Sequence, residues 1–255
     1  MHKILRASFV LAAFIAAWWL LSIVADSILL PNPQQTVAAL FKRVIASNGL
    51  YNVWVTLYRV FIGTLIGALF GTILGIIPRY SKLAEAVVRV VLYPLLQTVP
   101  TICWALMFIL WIGSSDTASS LTVAVAVAPF FIINVWEGMK ELDANLIEMA
   151  SSYTHHPIKI LGKVVMPMLY PYLFVATKSG FMIAWKIIVP AEMFGGHSAG
   201  MGYMLHYAYT HYRMADVFGW TLAFAFILIF FDYVVFKFVE RKFVRKWKPQ
   251  ELKRL

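Results

Sequence analysis

Apolar residues run through this chain in long blocks that short polar segments separate. Six blocks have the length that a helix needs to cross a bilayer, about 20 residues: Ile4–Ala25, Leu50–Ile77, Leu83–Ile112, Thr117–Trp136, Pro167–Phe194 and Asp216–Phe238. Only helices and closed barrels satisfy their own backbone hydrogen bonds within lipid. The pattern therefore predicts an all-α integral membrane protein with six transmembrane helices, forming one transmembrane domain over residues 1–255.

Three segments carry further structural signals. Residues Gln34–Ser47 have apolar side chains at helical spacing but are too polar to span, which predicts a helix lying along the membrane surface. Pro94 and Pro100 lie in the third block, so we expect that span to be bent or broken near its middle. The second block has glycines four residues apart, a stripe that allows another helix to approach closely: Gly63, Gly67, Gly71 and Gly75.

The composition agrees with a membrane protein and the charges give its orientation. Apolar residues make up 61% and charged residues 13%, whereas soluble domains have about 45–50% and about 25%. This excludes a soluble enzyme, a disordered chain and a coiled coil. The net charge is +10, and eight of the 22 Lys and Arg residues follow Tyr233, so we assign the charge to a basic tail over residues 239–255 rather than to nucleic-acid binding. By the positive-inside rule, both termini and the polar stretch 137–166 are predicted to be cytoplasmic.

Several kinds of chemistry are missing from the sequence. Cys103 is the one cysteine, so an intrachain disulfide and a four-cysteine metal site are excluded. No GxxxxGK[ST] or HExxH motif occurs. The histidines, including the adjacent pair His155-His156, are interpreted as turn and interfacial residues rather than as metal ligands. We predict that the chain is not an enzyme and holds no cofactor or metal of its own.

The polar stretch 137–166 predicts a helix–turn–helix between spans four and five. Asp143 is a good N-cap for a helix over 144–152. Pro157 suits the first turn of a second helix, which we expect to end near Met166. The first helix has an apolar face with no lipid to cover it, so a cytoplasmic partner is expected there; an ordinary solvated loop is the alternative. The residues of this face are Leu146, Met149, Ala150 and Tyr153.

This stretch resembles the signature of the membrane permease subunits of bacterial ATP-binding-cassette importers. That signature is EAA, three residues, Gly, about nine residues and a hydrophobic-Leu-Pro ending; here it reads Glu148-Met149-Ala150 and ends at Val165-Met166-Pro167. Thr154 replaces the Gly, and Met149 replaces the middle Ala. We expect His155-His156-Pro157 to supply the break instead. Other segments resemble the nitrate/sulfonate/taurine branch: Leu30–Pro33, Pro94–Gln97 with Pro100, Trp111–Gly113 and Ala191–Met193.

The resemblance implies a mechanical role. Two separate ATPase subunits would bind ATP and Mg²⁺, and their closure would move the spans between inward- and outward-open states. A second copy of this chain, a periplasmic or lipid-anchored binding protein and the bacterial inner membrane complete the expected assembly. The solute would be a small anion of the sulfonate, nitrate, taurine or carboxylate type. The residues implied in coupling to the ATPase are Glu148, Met149, Ala150, Tyr153, Thr154, Pro157 and Pro167.

The fifth span carries the candidate pathway residues. A charge in mid-bilayer costs roughly 2.5–3.5 kcal/mol, so it needs a partner or a water-filled cavity. Lys178 and Lys186 lie on roughly the same face and could stabilise a passing anion, with Met182, Trp185 and Glu192 as further candidates. Two alternatives stay open: Lys186 extends outward to the interface, and Lys178 pairs with a neighbouring helix or with backbone carbonyls. Arg59 and Asp232, near span ends, are interpreted as structural.

Three other functions compete with this one. A secondary transporter or channel would need no ATP and should show inverted repeats, yet the halves have no clear self-similarity. A membrane-embedded enzyme would need acid, His or Cys residues clustered at one depth. The scaffold subunit of a vitamin importer would have coupling helices but no pathway with lysines.

Overall fold

The computed structural model describes residues 2–25, 29–45 and 48–242, and these residues are almost entirely helical. The α-helices are α1 (His2–Ala25), α2 (Pro33–Ala39), α3 (Gly49–Ile76), α4 (Lys82–Ala86), α5 (Tyr93–Thr98), α6 (Thr101–Ile112), α7 (Asp116–Lys140), α8 (Ala144–Tyr153), α9 (Pro157–Ile160), α10 (Met166–Phe194), α11 (Met201–Thr210), α12 (Met214–Phe230) and α13 (Lys237–Lys242). Wider π-helical turns continue or join several of them: Leu40–Ile45, Val87–Leu92, Leu161–Val165 and Phe231–Phe236. The predicted all-α class is confirmed.

The predicted spans are present, with the third one sharply bent. Five helical segments of the described residues are long and apolar enough to cross a membrane, and there are six if two arms count as one span. These arms, Lys82–Thr98 and Thr101–Ile112, meet at 88°. Val99 is extended at the break (ψ 122°), because a following proline disfavours the helical conformation. Pro100 therefore causes the expected bend, whereas Pro94 lies within the first turn of α5.

The chain forms two compact units, and the boundaries fall within α3, between α10 and α11, and within α12. Unit 1 comprises residues 1–57 and 196–227, and unit 2 comprises residues 58–195 and 228–255. The sequence-based expectation of one transmembrane domain stays a prediction. The distal part of the predicted basic tail, residues 243–255, lies outside the described residues.

Side-chain hydrogen bonds fix the short helices of unit 1. Asn32 and Gln35 cap α2 reciprocally, each side chain accepting the other's backbone N–H at 2.8 and 3.1 Å. Residues 33–45 are helical, as predicted for Gln34–Ser47, of which residues 46–47 lie outside the described part of the chain. The position of this helix along the membrane surface stays a prediction. Two side chains of α3 bind the start of α11. Asn52 Oδ1 accepts the Gly200 N–H at 2.9 Å, and Thr56 Oγ1 accepts the Met201 N–H at 2.8 Å. These bonds satisfy backbone donors that the helix itself leaves free.

In unit 2 the most buried helix is α7, and the glycine stripe of α3 packs against it. A Cβ on Gly67 would lie 2.6 Å from the Ala124 carbonyl oxygen, and one on Gly71 would lie 2.6 Å from that of Ala128. A Cβ at either position would overlap backbone atoms of α7. The predicted close approach is confirmed, and its partner is α7.

The helix–turn–helix agrees with the prediction in its first half only. Asp143 caps α8 by accepting the Asn145 N–H at 2.9 Å. The predicted end of the second helix near Met166 is wrong, because the helix from Pro157 continues without a break to Phe194. A π-helical turn lets the Met166 N–H reach the Leu161 carbonyl five residues back. Pro167 lies directly after this π-helical turn, in the first turn of α10.

Candidate functional site

The apolar face predicted for α8 is open to solvent. Leu146, Met149 and Tyr153 are 41%, 55% and 86% exposed. Ala150, between them, is half-buried, and Ile158 just after the turn is 81% exposed. Exposed apolar side chains that cluster in this way mark a surface that another protein covers. We call Leu146, Met149, Tyr153 and Ile158 the coupling surface.

The opposite face of α8 is tied to the helices of unit 2. Ile147 packs against a buried cluster that joins α7, the α7–α8 connection, the π-helical turn and α10. The members of this cluster are Val135, Met139, Leu142, Val165 and Leu169. Through Ile147, α8 is thus in packed contact with the ends of α7 and α10.

Two polar contacts strengthen this junction. Arg79 Nη1 donates to the Met139 carbonyl oxygen at 2.7 Å, at the end of α7. The hydroxyl of Tyr172, on α10, donates to the Glu141 carboxylate just after α7. Arg79 thus joins the end of α7 to the turn that follows α3, and Tyr172 joins it to α10.

The turn after α8 needs no glycine. Thr154 is extended (φ −154°, ψ 131°) and His156 has φ −82° and ψ 104°. The Thr154 hydroxyl accepts the His156 N–H at 3.3 Å, and Pro157, exposed, begins the next helix. This chain therefore breaks the helix with extended residues and a threonine turn instead of a left-handed residue, which explains how Thr154 can stand where the signature has Gly.

Glu148 lies on α8 with its side chain exposed. It forms no ion pair with a described residue, and its backbone carbonyl accepts the Ser151 hydroxyl at 2.7 Å. Pro167 is half-buried in the first turn of α10. Any ion pair of Glu148 therefore involves a group outside the described residues.

The mid-membrane lysine has a partner on the last span. Lys178 Nζ lies 2.7 Å from a carboxylate oxygen of Asp232, and both side chains are about one-third exposed. Opposite charges at this distance neutralise each other, which lowers the cost of placing them in lipid. The structure gives Lys178 the helix-to-helix pairing that was one of its two interpretations.

The other pathway candidates do not share one surface. Lys186 is exposed and Met182 is half-buried. Trp185 is fully buried and stacks on Phe181, with ring centroids 6.4 Å apart. Glu192 is 1% exposed, so the two buried residues contact protein rather than a solute in this conformation.

Glu192 belongs to an ionic triad that joins three helices. Arg59 Nη1 on α3 donates to Glu192 Oε1 on α10 at 2.7 Å, and its Nη2 donates to Asp116 Oδ1 at the start of α7 at 2.6 Å. Arg59 is 3% exposed. From the sequence, Arg59 is interpreted as structural, but Asp116 is not singled out as its partner. The signal available was an arginine within an apolar span, which needs carboxylates near it.

The chain matches known transport proteins over most of its length. It is 31% identical to a putative aliphatic sulfonates transport permease protein of Bacillus subtilis over 240 residues, covering 93% of this chain and 85% of that protein. It is 26% identical to the nitrate import permease protein of Synechococcus elongatus, covering 78% and 74%. The fold resembles an inward-facing structure of the MetNI methionine ABC transporter, with TM-score 0.60, 20% identity, and coverage of 78% of this chain and 96% of that one.

A family model matches residues 63–247, which is well over half of the chain. The matched region contains α7, α8, α10 and the coupling surface. The relatives are transport permeases rather than enzymes. This chain belongs to the family of inner membrane components of binding-protein-dependent transport systems.

Proposed function

We propose that this chain forms the translocation pathway of an ATP-driven importer for a small anionic solute, of the sulfonate, nitrate, taurine or carboxylate type. Membership of the family supports the importer class. The relatives named for sulfonates and nitrate support an anion as the solute. The chain itself would bind no nucleotide; ATP and Mg²⁺ would bind to its partner.

One observation carries the coupling mechanism, namely the position of α8. Its apolar face is exposed while its other face packs on the cluster that joins α7 to α10. An ATPase subunit docked on the coupling surface would move α8 as the ATPase pair closes. The packed cluster would pass that movement to both spans, which would shift between inward- and outward-open states.

The expected assembly has two copies of this chain, two ATPase subunits and a substrate-binding protein. The positive-inside rule supports cytoplasmic termini and a cytoplasmic coupling surface in a bacterial inner membrane. Glu148 would orient α8 against the ATPase, and Met149, Ala150 and Tyr153 would fill its docking groove. Lys178, Lys186 and Met182 are the residues that we propose near the solute, with Trp185 and Glu192 reaching it only in another conformation.

Co-purification with the ATPase tests this proposal. Tyr153→Glu puts a charge at the most exposed residue of the coupling surface. An aromatic residue central to an interface contributes about 2 kcal/mol or more, so recovery of the ATPase subunit should fall by about tenfold or more.

Tyr80→Glu is the matched control. Tyr80 is 72% exposed in the turn after α3 and lies on the same predicted side of the membrane. It should retain the ATPase at the wild-type level. Equal recovery of the ATPase with both variants would show that the docking site lies elsewhere. Transport by a protein that never associates with an ATPase would favour a secondary transporter.

A further inference from the structure

A cleft of about 380 Å³ lies in unit 2, between the first arm of the bent span and the C-terminal part of α7. Arg89, on the arm, and Glu137 and Lys140, at the end of α7, are the charged residues that line it. Tyr93 and Ile133 also line it and are half-buried. We call this cavity the α7 cleft.

The α7 cleft is charged at one end and apolar at the other. The predicted topology puts the end of α7 on the cytoplasmic side, at the level of the lipid headgroups. Tyr93 comes one helical turn after Arg89 on the arm, and Ile133 comes two turns before Lys140 on α7. Both apolar residues therefore lie deeper in the membrane than the charged ones, which is the arrangement of polar and apolar parts in a phospholipid.

Trp136 brings the two cations of the cleft together. Lys140 Nζ lies 3.8 Å from the centroid of the Trp136 ring, and the Arg89 guanidinium carbon lies 4.8 Å from it. Trp136 is 8% exposed, so both positive groups lie against a buried ring that attracts them. The two cations repel each other, and an anion bound to both would offset this repulsion.

The carboxylate of the cleft is open as well. Glu137 and Lys140 are exposed and lie one turn apart, yet neither forms an ion pair with a described residue. Arg89 has only a loose pair, because the Glu85 carboxylate oxygen is 3.7 Å away, beyond hydrogen-bonding distance. The α7 cleft thus presents positive and negative groups side by side, and both can bind a ligand.

We propose that the α7 cleft binds a zwitterionic phospholipid of the phosphatidylethanolamine type. The phosphate would lie between Arg89 and Lys140, and the ammonium group would bind the Glu137 carboxylate. The acyl chains would follow Tyr93 and Ile133 into the membrane. The charges select this headgroup, because an anionic phospholipid such as phosphatidylglycerol has no cation for Glu137. A soluble zwitterion would leave the apolar residues uncovered.

Native mass spectrometry of the full-length chain in mild detergent tests the site. Phosphatidylethanolamine and phosphatidylglycerol with identical acyl chains are added in equal amounts. Glu137→Gln removes the group that binds the ammonium, and Lys140→Gln removes one partner of the phosphate. Lys163→Gln is the matched control, because Lys163 is exposed in the π-helical turn before α10 and does not line the α7 cleft.

We expect the wild type to retain phosphatidylethanolamine about two- to fivefold more than phosphatidylglycerol, which is the scale of one exposed ion pair. Glu137→Gln should lose this preference, because only the phosphate contacts that the two lipids share remain. Lys140→Gln should retain less of both lipids. Lys163→Gln should match the wild type in preference and in amount.

Equal retention of the two lipids by the wild type and by Glu137→Gln would overturn the proposal. Lipid retention that Lys140→Gln leaves unchanged would overturn it too, and dissociation of a dimer by that variant would then assign the cleft to a second copy of the chain. The measurement uses no ATP, no ATPase and no solute, so its result does not depend on the proposed function.

Discussion

At the scale of single residues, the ion pairs inside unit 2 are the features with the largest energetic consequences. Arg59 and Glu192 are both nearly inaccessible, and Asp116, 59% exposed in its side chain, shares the same guanidinium. A buried charge without its partner is far more costly than a buried pair. The triad thus makes the packing of α3, α7 and α10 depend on one arginine.

Removing that arginine should destabilise the protein strongly. Arg59→Met removes the guanidinium that pairs with the buried Glu192 carboxylate, which we expect to cost about 3–5 kcal/mol. Thermal unfolding in mild detergent measures it. The double variant Arg59→Met with Glu192→Gln removes the charge as well and should recover a large part of the loss. An Arg59→Met protein as stable as the wild type would contradict a structural role for the triad.

Lys178 and Asp232 allow a test between pairing and a pathway role. If the 2.7 Å pair is structural, Lys178→Gln should lower stability and transport together. Lys178→Gln with Asp232→Asn should then restore both, because neither charge is left alone in the membrane.

A pathway role gives a different pattern. Transport that stays lost in the double variant, while assembly and stability recover, would assign Lys178 to the solute. Measuring uptake and thermal stability on the same preparations separates the two roles.

At the scale of elements, the contact between α3 and α7 depends on missing side chains. Gly67→Ala would place a Cβ 2.6 Å from the Ala124 carbonyl oxygen, and backbone there cannot move without displacing α7. Overpacking of this kind typically costs about 1–3 kcal/mol. We expect a lower unfolding temperature in detergent.

Gly162→Ala is the control for the same chemical change. Gly162 lies in the π-helical turn before α10, and no neighbouring atom would come within 4 Å of the new Cβ. Alanine should be neutral or slightly stabilising there, since it favours helix over glycine by about 1 kcal/mol. Equal effects of the two changes would contradict the close packing of α3 on α7.

At the scale of the whole molecule, the predicted topology places α8 and α11 on opposite sides of the membrane. Tyr153, on α8, and Tyr209, on α11, are 86% and 58% exposed. In a protein with Cys103→Ser, a membrane-impermeant maleimide should label Tyr209→Cys in cells whose outer membrane is permeabilised. Tyr153→Cys should react only after the inner membrane is opened. The reverse labelling pattern would show that the topology is opposite to the predicted one.

The sequence alone determined the class of the molecule and most of its elements. The lengths of the apolar blocks predicted the spans within a few residues, because a bilayer sets the length of any helix that crosses it. The glycine spacing and Pro100 predicted a close contact and a bend, since both act through local backbone geometry. Asp143 predicted the start of α8 for the same reason. The order of motifs around Glu148 indicated the transport family that the comparisons confirm.

Only the tertiary structure decided which residues meet. Periodicity places Lys178 and Glu192 on α10, but their partners Asp232 and Arg59 depend on how helices pack. From the sequence we expected a second helix ending near Met166. Nothing in the sequence indicated the π-helical turn through which the helix continues beyond Pro167. It also gave no reason to join Arg43 to Asp216, which lie 173 residues apart. Local geometry is encoded in short stretches of sequence, whereas ion pairs and clefts arise from contacts between distant ones.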